Sequence, residues 1–472
     1  MAAIFLIGLL RKKWTAIVLL FHRLWGRLLS WGHRQARTPE QVLRDSFPEA
    51  RERLKKAKKA FIDALDPDAI CALASRHNNG KACRIVGQDN GSFNACFFVE
   101  FDPDTDSQHD VNADVVPQNN VAKWVVRVPI EPAVHNPWDK IRSEVNTLHF
   151  IPGTPLKIAT FLESSTETRA AFYSQIIDVL AELSQLEFPA ICSLMPEGRF
   201  IGPLSPSLNE RRETLPVFTS AAEYMKAQWE NIKKHAEILD EDLTEEDIRD
   251  EMFVLHHLEP YFHELSPTNH SEKGPFVLSH PDFRCGNTIV DENMNIQGII
   301  DWEFASTIPR SLLSPPSWIT NHDGHIHLQF AMDKLYNQFV SVLEEKSKHN
   351  SVCAQLQKEW FEGVANRTSN AFRIAYLVRW PGEISHTFLD FFRSEILGDE
   401  SQAREKETEF FQQRPHLVVE TRRRFERSDE YARYLKDNGL YEEDENQLAL
   451  NKLQSELDAK TDRLGMDRII LR

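Results

Sequence analysis

The segment from Leu278 to Glu303 decides the fold, and it reads LSHPDFRCGNTIVDENMNIQGIIDWE. Asn287 follows Asp282 by five residues, in a loop that contains a glycine. Asp301 comes directly after the second of two short apolar stretches that are predicted to be strands. An aspartate that accepts a hydroxyl proton, together with hard oxygen ligands for Mg²⁺, is what phosphoryl transfer requires. The spacing therefore indicates that the three side chains converge on one catalytic point.

The same segment resembles the catalytic loop and metal-binding strand of the aminoglycoside phosphotransferase and choline-kinase-like family, a branch of the protein-kinase fold. Within that branch it most resembles the fungal phosphotransferase-family proteins. The resemblance implies that Asp282 is the catalytic base, Asn287 the second metal ligand and Asp301 the principal metal ligand, while His280 braces the loop. Pro281 stands where glycine is frequent in the bacterial enzymes. The resemblance further implies ATP and Mg²⁺ as cofactors and a small-molecule hydroxyl as acceptor.

Two other interpretations of the segment compete with this one. In a plain β-hairpin the acids would only cap turns, and a single aspartate would not exclude that. The joint pattern from His280 to Glu303, with strands on both sides, favours the kinase-like fold. A metal-dependent hydrolase using Asp282, Asp301 and Glu303 is less favoured, because the segment lacks the histidine ligands or further carboxylate pairs that such sites usually have.

A turn between two predicted strands, residues 87–94, lies where the family has a loop that covers the phosphates. Gly91 lets the backbone approach a ligand closely, and the amides of Ser92 and Phe93 could face phosphate oxygens. By itself this signal is weak, because most such turns only close a hairpin. The resemblance therefore makes these three residues candidates for nucleotide binding.

The third predicted strand carries Arg127 at the place of the family's phosphate-anchoring cation. The resemblance pairs this cation with a carboxylate on the next helix, which is Glu144 here. An arginine in place of the usual lysine holds phosphates differently, because its guanidinium is a planar fork and not a point charge. Lys123, four residues earlier on the same strand face, is predicted to be solvated.

The resemblance covers about residues 80–440 but contains a gap. Family members place two further strands and an adenine-contacting hinge between the helix that carries the glutamate and a Pro-Gly-x-x-Leu segment. Here Pro152 follows Glu144 within nine residues, and strands of ~5–6 residues with their connections do not fit. Either an exon is missing from the coding model, or this copy is a weak or inactive kinase-like protein.

The predicted architecture is an α+β, protein-kinase-like fold of two lobes. A small and apparently truncated antiparallel sheet forms the N lobe, and a large helical domain forms the C lobe. The domains are residues 1–37, an N-terminal arm; 38–150, a helix and the N lobe; and 151–472, the C lobe with the catalytic loop at 278–303. Strands are predicted at 83–87, 94–101, 121–129, 276–280, 288–290 and 296–300. Helices are predicted at 39–75, 138–150 and 166–186, and from 325 onward. Two more helices are predicted to begin after the capping residues Ser220 and Thr244.

The N-terminal arm is basic and amphipathic. Residues 1–39 hold seven Lys or Arg and no acid, and their apolar stretches are shorter than the ~18–20 residues of a membrane span. The pattern resembles a mitochondrial transit peptide, although it is poorer in serine than most. An anchor at a membrane surface, which would leave the protein cytoplasmic, or a helix packed on the body are the alternatives.

The body of the chain is acidic, because the net charge of −16 becomes 48 − 71 = −23 once the arm is left out. This charge argues against nucleic acid as a partner and mildly favours an amine-bearing alcohol as acceptor. The six scattered cysteines lack zinc-site spacing and favour a reducing compartment. A zinc site at His322, His325 and His327 is considered and not favoured.

The sequence thus predicts an ATP-dependent phosphotransferase that acts on a hydroxyl of a small molecule. The alternative is a catalytically weak or inactive kinase-like protein that serves a binding or membrane-associated role, favoured by the missing hinge and the amphipathic arm.

Overall fold

The computed structural model describes residues 47–48, 50–102, 123–134, 137–138, 154–194, 200–206, 212–265, 273–302, 305–322, 329–361 and 369–442. The chain divides into two compact units, residues 1–48 and 49–472. All the elements below belong to the second unit. The arm at 1–37, the helix predicted at 138–150 beyond Trp138, and Glu144, Glu303, His325 and His327 lie outside the described ranges.

The N lobe begins with two helices, α1 (Arg51–Asp63) and α2 (Pro67–His77). One continuous helix was predicted here, and the break has a local cause. The Asp66 side chain accepts a hydrogen bond from the Asp68 amide at 2.9 Å, and Pro67 occupies the first helical position, where its missing N–H costs nothing. Asp66 and Pro67 therefore begin α2 as a separate helix after the end of α1.

Three strands form the antiparallel sheet of the N lobe in the order β1 (Cys83–Asn90), β2 (Asn94–Phe101) and β3 (Lys123–Pro129). Alternate residues of β2 are buried against α1 and α2: Ala95, Phe97, Val99 and Phe101. The residues between them point to the other face of the sheet, since side chains alternate along a strand. Register pairs Cys96 with Arg127 and Phe98 with Val125, so these four residues share that open face.

The C lobe contains ten short strands and twelve helices among the described residues. The strands are β4 (Thr154–Pro155), β5 (Glu187–Phe188), β6 (Ser193–Leu194), β7 (Phe200–Ile201), β8 (Leu204–Pro206), β9 (Arg212–Thr214), β10 (Phe276–Ser279), β11 (Thr288–Val290), β12 (Ile296–Ile299) and β13 (Ser306–Pro309). The helices are α3 (Ile158–Glu163), α4 (Thr166–Gln185), α5 (Ala221–Ala236), α6 (Glu245–Glu264), α7 (Ser317–Thr320), α8 (Gln329–Ser347), α9 (Ser351–Phe361), α10 (Asn370–Arg379), α11 (Ile384–Thr387), α12 (Arg393–Leu397), α13 (Glu400–Gln413) and α14 (Pro415–Asp437). A π-helical turn, Phe388–Phe392, joins α11 to α12.

Two small sheets carry the catalytic segment. β10 lies between β13 and β5, and β11 lies between β12 and β4, all antiparallel. A core of aromatic and aliphatic side chains from α4, α8 and α9 supports both sheets and buries Phe283 and Val290 of the segment. The loop that carries Asp282 and Asn287 is therefore packed on the core of the C lobe, which restrains its backbone.

Helix α1 also contacts the C lobe, at Asp240 and near the end of the chain. Arg51 forms an ion pair of 2.9 Å with Asp240, and Lys55 forms one of 2.5 Å with Glu442. Arg53 donates a hydrogen bond to the Tyr434 hydroxyl at 3.3 Å. The helix thus packs on the N-lobe sheet and bridges to the C-terminal helix of the C lobe.

The predicted α+β class is confirmed, with a small antiparallel sheet and a mainly helical remainder. Within the described ranges, helices of the length and apolarity needed to cross a membrane do not occur.

Candidate active site

Asp282 and Asn287 are held together by the turn between β10 and β11. The Arg284 amide donates to the Asp282 carbonyl at 2.9 Å, and the Asn287 amide donates to the Arg284 carbonyl at 3.0 Å. The Asn287 side-chain nitrogen donates to the Asp282 carbonyl at 2.8 Å and to its carboxylate at 3.3 Å. These bonds orient the buried Asn287 amide so that its oxygen is left to face away from Asp282.

Asp301 joins this pair through its neighbour, Ile300. The Ile300 amide donates to the Asn287 carbonyl at 2.9 Å. The residue just before Asp301 is therefore hydrogen-bonded to the loop. Asp301 itself has a φ of +70°, the left-handed region that only glycine, asparagine and aspartate adopt readily. The structure therefore brings Asp282 and Asn287 together and bonds the residue before Asp301 to the same loop, while convergence of the three side chains stays a prediction.

His280 contacts both the loop that carries Asp282 and the strand end that precedes Asp301. Its Nε2 donates to the Ile300 carbonyl at 2.8 Å, and its ring packs against Phe283 and Trp302 with centroid distances of 5.6 Å and 4.7 Å. Burial lowers the pKa of His280, and the positive charge of Arg379 contributes to the lowering. A neutral, buried imidazole that bonds to backbone fits the bracing role that the resemblance implied.

Arg127 reaches the catalytic segment from the N-lobe sheet. Its Nη2 lies 3.9 Å from Asp301 Oδ1, and both side chains are partly buried. Glu144, the carboxylate predicted to pair with Arg127, lies outside the described residues, so that pairing stays a prediction. Lys123 is 69% exposed and lies 3.6 Å from Glu100, which agrees with its predicted solvation.

The Gly91 turn closes the β1–β2 hairpin. The Gly91 amide donates to the Asn94 carbonyl at 2.9 Å, and the Phe93 carbonyl accepts from Ile130 at 2.9 Å. Gly91 and Ser92 are exposed, while Phe93 packs partly into the N-lobe core. Phosphate contacts from Gly91, Ser92 and Phe93 stay a prediction.

The open face of the sheet is a feature that motif reasoning missed. Phe98 and Val125 are 41% and 53% exposed on the face that carries Arg127. Large apolar side chains on a sheet face beside a cation offer a flat surface for a ring. The sequence pattern of β2 could have predicted this face. Side chains alternate along a strand, so Cys96 and Phe98 point to the face opposite the buried Phe97 and Val99.

The donor set suits magnesium. Asn287 and Asp301 supply oxygen atoms, the ligands that Mg²⁺ prefers, and Mg²⁺ is commonly held by one or two protein groups together with substrate phosphates. Over the described ranges, groups of three or more His, Cys, Asp or Glu that could hold a metal do not occur. His322 is buried and its Nδ1 lies 2.8 Å from the Thr320 hydroxyl, whereas the other two histidines of the zinc hypothesis lie outside these ranges.

A pocket opens beside Asp282 within the C lobe. Asp282 lines it, and Asn287, Asp301 and Arg127 do not. Its other walls come from α4, α5, β13, the segment before α7, and the end of α10. Asp282 thus contacts both the Asn287 side chain and this cavity. Sequence reasoning missed this pocket, because its walls are distant in sequence and share no motif.

The fold is protein-kinase-like, with a small antiparallel sheet in one lobe and the loop that carries Asp282 and Asn287 in the helical lobe. A family model described as the phosphotransferase enzyme family matches residues 111–311, which include Arg127, Asp282, Asn287 and Asp301. The predicted resemblance to the aminoglycoside phosphotransferase and choline-kinase-like family is thereby confirmed.

Individual relatives are distant. The clavilactone A biosynthesis cluster protein Y of Ampulloclitocybe clavipes is 27% identical over 218 residues, which is 43% of this chain and 53% of that protein. The chain thus spans about half the length of this curated relative. Among solved structures, a macrolide 2'-phosphotransferase of type I is 14% identical with a TM-score of 0.34, covering 73% of this chain and 97% of that one. An ethanolamine kinase of Plasmodium vivax is 12% identical with a TM-score of 0.39, covering 76% and 94%.

Proposed function

We propose that this protein is an ATP-dependent phosphotransferase that transfers the γ-phosphoryl group to a hydroxyl of a small molecule. The observation that carries the proposal is the hydrogen-bonded cluster of Asp282, Asn287 and Ile300, because it supports the assignment of these two side chains and of the adjacent Asp301 to one reaction centre. The match of residues 111–311 to the phosphotransferase family supports the same reaction class.

Each residue has a defined task in this reaction. Asp282 orients the acceptor hydroxyl and accepts its proton as the oxygen bonds to the γ-phosphorus, while the bond to the β–γ bridging oxygen breaks and leaves ADP. Asn287 and Asp301 would hold Mg²⁺, which neutralises phosphate charge when bound. Arg127, and the amides of the Gly91 turn, would bind the phosphates, and the face with Phe98 and Val125 would pack on the base.

Asp282→Asn tests the proposal. It keeps the shape of the side chain and removes the base, so we expect a fall of ~10²–10⁴-fold in turnover with unchanged folding. The assay measures ADP release and phosphorylated products by mass spectrometry across a panel of hydroxyl compounds. Asp63→Asn, which removes the same charge from the exposed end of α1, is the control. Equal turnover in the wild type and Asp282→Asn would contradict the assignment.

The alternative is a kinase-like protein that binds without catalysis. The N-lobe sheet has three strands in the part of the chain that the structure describes, and the sequence leaves no room for the usual hinge. Under this alternative the wild type binds nucleotide or acceptor but forms no phosphorylated product with any compound of the panel.

Residues 1–37 are proposed to direct the protein to mitochondria or to hold it at a membrane surface. Their basic amphipathic pattern supports both versions. A fluorescent reporter fused to these residues tests them, because a diffuse cytosolic signal would count against both.

A further inference from the structure

Gln228 carries a buried oxygen atom at the wall of the pocket beside Asp282. The residue lies on α5, lines this pocket and is 4% exposed. Its side-chain oxygen, Oε1, is buried and has no hydrogen-bond partner among the described residues. Such an oxygen is costly to bury, and native structures usually supply it with a donor. A molecule bound in the pocket could supply that donor.

Tyr224 restrains the Gln228 side chain. It lies one helical turn earlier on α5 and lines the same wall of the pocket. Burial raises the pKa of the Tyr224 phenol, and a hydrogen bond from the Gln228 side chain opposes that rise. A carboxamide donates through its nitrogen and accepts through its oxygen. The contact with Tyr224 therefore engages the nitrogen and leaves the oxygen for another group.

The carboxylate and the two guanidinium groups of the described lining contact other protein groups. Asp282 is the one carboxylate there, and Arg284 Nε lies 3.4 Å from it. The Arg379 guanidinium carbon lies 4.8 Å from the centroid of the Trp380 ring. An ionised group that leaves water needs an opposite charge, or its burial is costly. An uncharged molecule therefore suits this part of the lining better than a charged one.

Much of the remaining wall is apolar. Aliphatic side chains from α4, β13, the turn after β13 and α10 form it: Leu180, Leu183, Ile308, Leu312 and Val378. Pockets that bind small molecules combine such walls with a few polar groups, which fix the orientation of the ligand. Asp282 and Gln228 are two polar groups of this kind, on separate elements of the C lobe.

We propose that the acceptor is an uncharged diol with an apolar body, in which one hydroxyl faces Asp282 and the second donates to Gln228 Oε1. This inference rests on the proposed function for the role of Asp282, and it names the class of acceptor. The second hydroxyl supplies the missing donor without bringing a charge into the pocket. The diol replaces the amine-bearing alcohol that the overall charge favoured, because salt screens charges that are distant from a bound molecule.

Four probes with one shared scaffold test this class without nucleotide. Styrene glycol, ethyl phenyl carbinol, phenylethanolamine and mandelate all carry a benzylic hydroxyl. Their second groups are a hydroxyl, a methyl, an ammonium and a carboxylate respectively. Binding is measured by calorimetry on the full chain. We expect styrene glycol to bind about tenfold more tightly than each of the other three, a difference of about 1.4 kcal/mol.

Variants assign the preference to Gln228. Gln228→Met keeps the length of the side chain and removes the oxygen, so styrene glycol should bind about tenfold more weakly and ethyl phenyl carbinol no more weakly than before. Gln228→Glu keeps an acceptor and adds a negative charge, so phenylethanolamine should gain about tenfold. Gln413→Met changes an exposed glutamine at the end of α13 and should alter none of the affinities. Thermal unfolding of each variant establishes that the fold is retained.

The outcomes separate this inference from the proposed function. Ethyl phenyl carbinol, phenylethanolamine or mandelate binding to the wild type as tightly as styrene glycol would overturn the inference, whether or not the variants fold. Styrene glycol failing to bind at millimolar concentration, or an equal loss of styrene glycol and ethyl phenyl carbinol in Gln228→Met, would also overturn it. Phosphoryl transfer to another alcohol would still support the proposed function. Conversely, styrene glycol binding that depends on Gln228 would stand even if no phosphorylated product formed.

Discussion

Arg127 Nη2 lies 3.9 Å from Asp301 Oδ1, which joins the N-lobe sheet to the catalytic segment across partly buried side chains. The cation of β3 thus faces the carboxylate that is predicted to hold the metal. In this position a guanidinium can bind phosphate on one side and contact the Asp301 carboxylate on the other.

Replacing Arg127 tests the phosphate contact. Arg127→Met should weaken the binding of Mg·ATP by ~10–100-fold, because a charge-assisted contact is lost, and Arg127→Lys should lose less. Lys123→Met is the matched control, because Lys123 lies on the same strand face and contacts Glu100. Calorimetric titration measures all three, and equal loss in the control would show a general charge effect.

His280 should act as a positioning residue. His280→Ala removes the bond to the Ile300 carbonyl and the contacts with two rings, so we expect it to destabilise the protein by ~2–4 kcal/mol. Displacement of Asp301 should lower kcat more than it changes KM. His280→Gln, whose amide could donate to Ile300, should recover part of kcat; recovery of stability without kcat would indicate a purely structural role.

Nucleotide affinity should depend little on the base. The hinge hydrogen bonds, worth ~0.5–1.5 kcal/mol each, and part of the buried adenine surface are predicted to be missing. A loss of ~3–4 kcal/mol weakens binding by ~10²–10³-fold. Titrating Mg·ATP and Mg·triphosphate side by side checks this. Micromolar ATP binding that requires adenine would mean that another segment replaces the hinge.

Asp250 should make the stability depend on pH. Burial raises its pKa to about 6, with a further contribution from Glu407, Glu246 and Asp247. The folded state therefore holds the proton more tightly than the unfolded state, so the free energy of unfolding falls as pH rises from about 4 to about 6. Because Asp250 is only partly buried and solvent screens its interactions, we expect Asp250→Asn to gain ~0.5–1 kcal/mol at about pH 8 and nothing at about pH 4. Chemical denaturation measures this, with Asp437→Asn as the control.

Local sequence patterns predicted the helices and strands in which apolar residues recur at regular spacing. The range of β2 was predicted to the residue, and Thr244 forms the expected capping box with Asp247. Strands of two residues, such as β4 and β5, have no period to detect and exist because longer strands pair with them.

In the candidate site, too, the residues that are close in sequence were predictable, and those that are distant in sequence were not. Asp282, Asn287 and Asp301 lie within one short stretch, so their spacing was informative. The pocket beside Asp282 combines Leu180, Tyr224 and Ile308, which only tertiary packing brings together.

The contact between α1 and the end of the chain determines when this part of the fold can form during synthesis. Lys55 and its partner Glu442 are 387 residues apart, so at ~5–20 residues per second α1 emerges about 20–80 s before its partner is made. Throughout that interval Lys55 lacks this partner, whereas Asp240, the partner of Arg51, is made earlier. The contact between α1 and Glu442 is therefore among the last to form, and a ribosome that stalls before Glu442 releases a chain that lacks the Lys55–Glu442 ion pair.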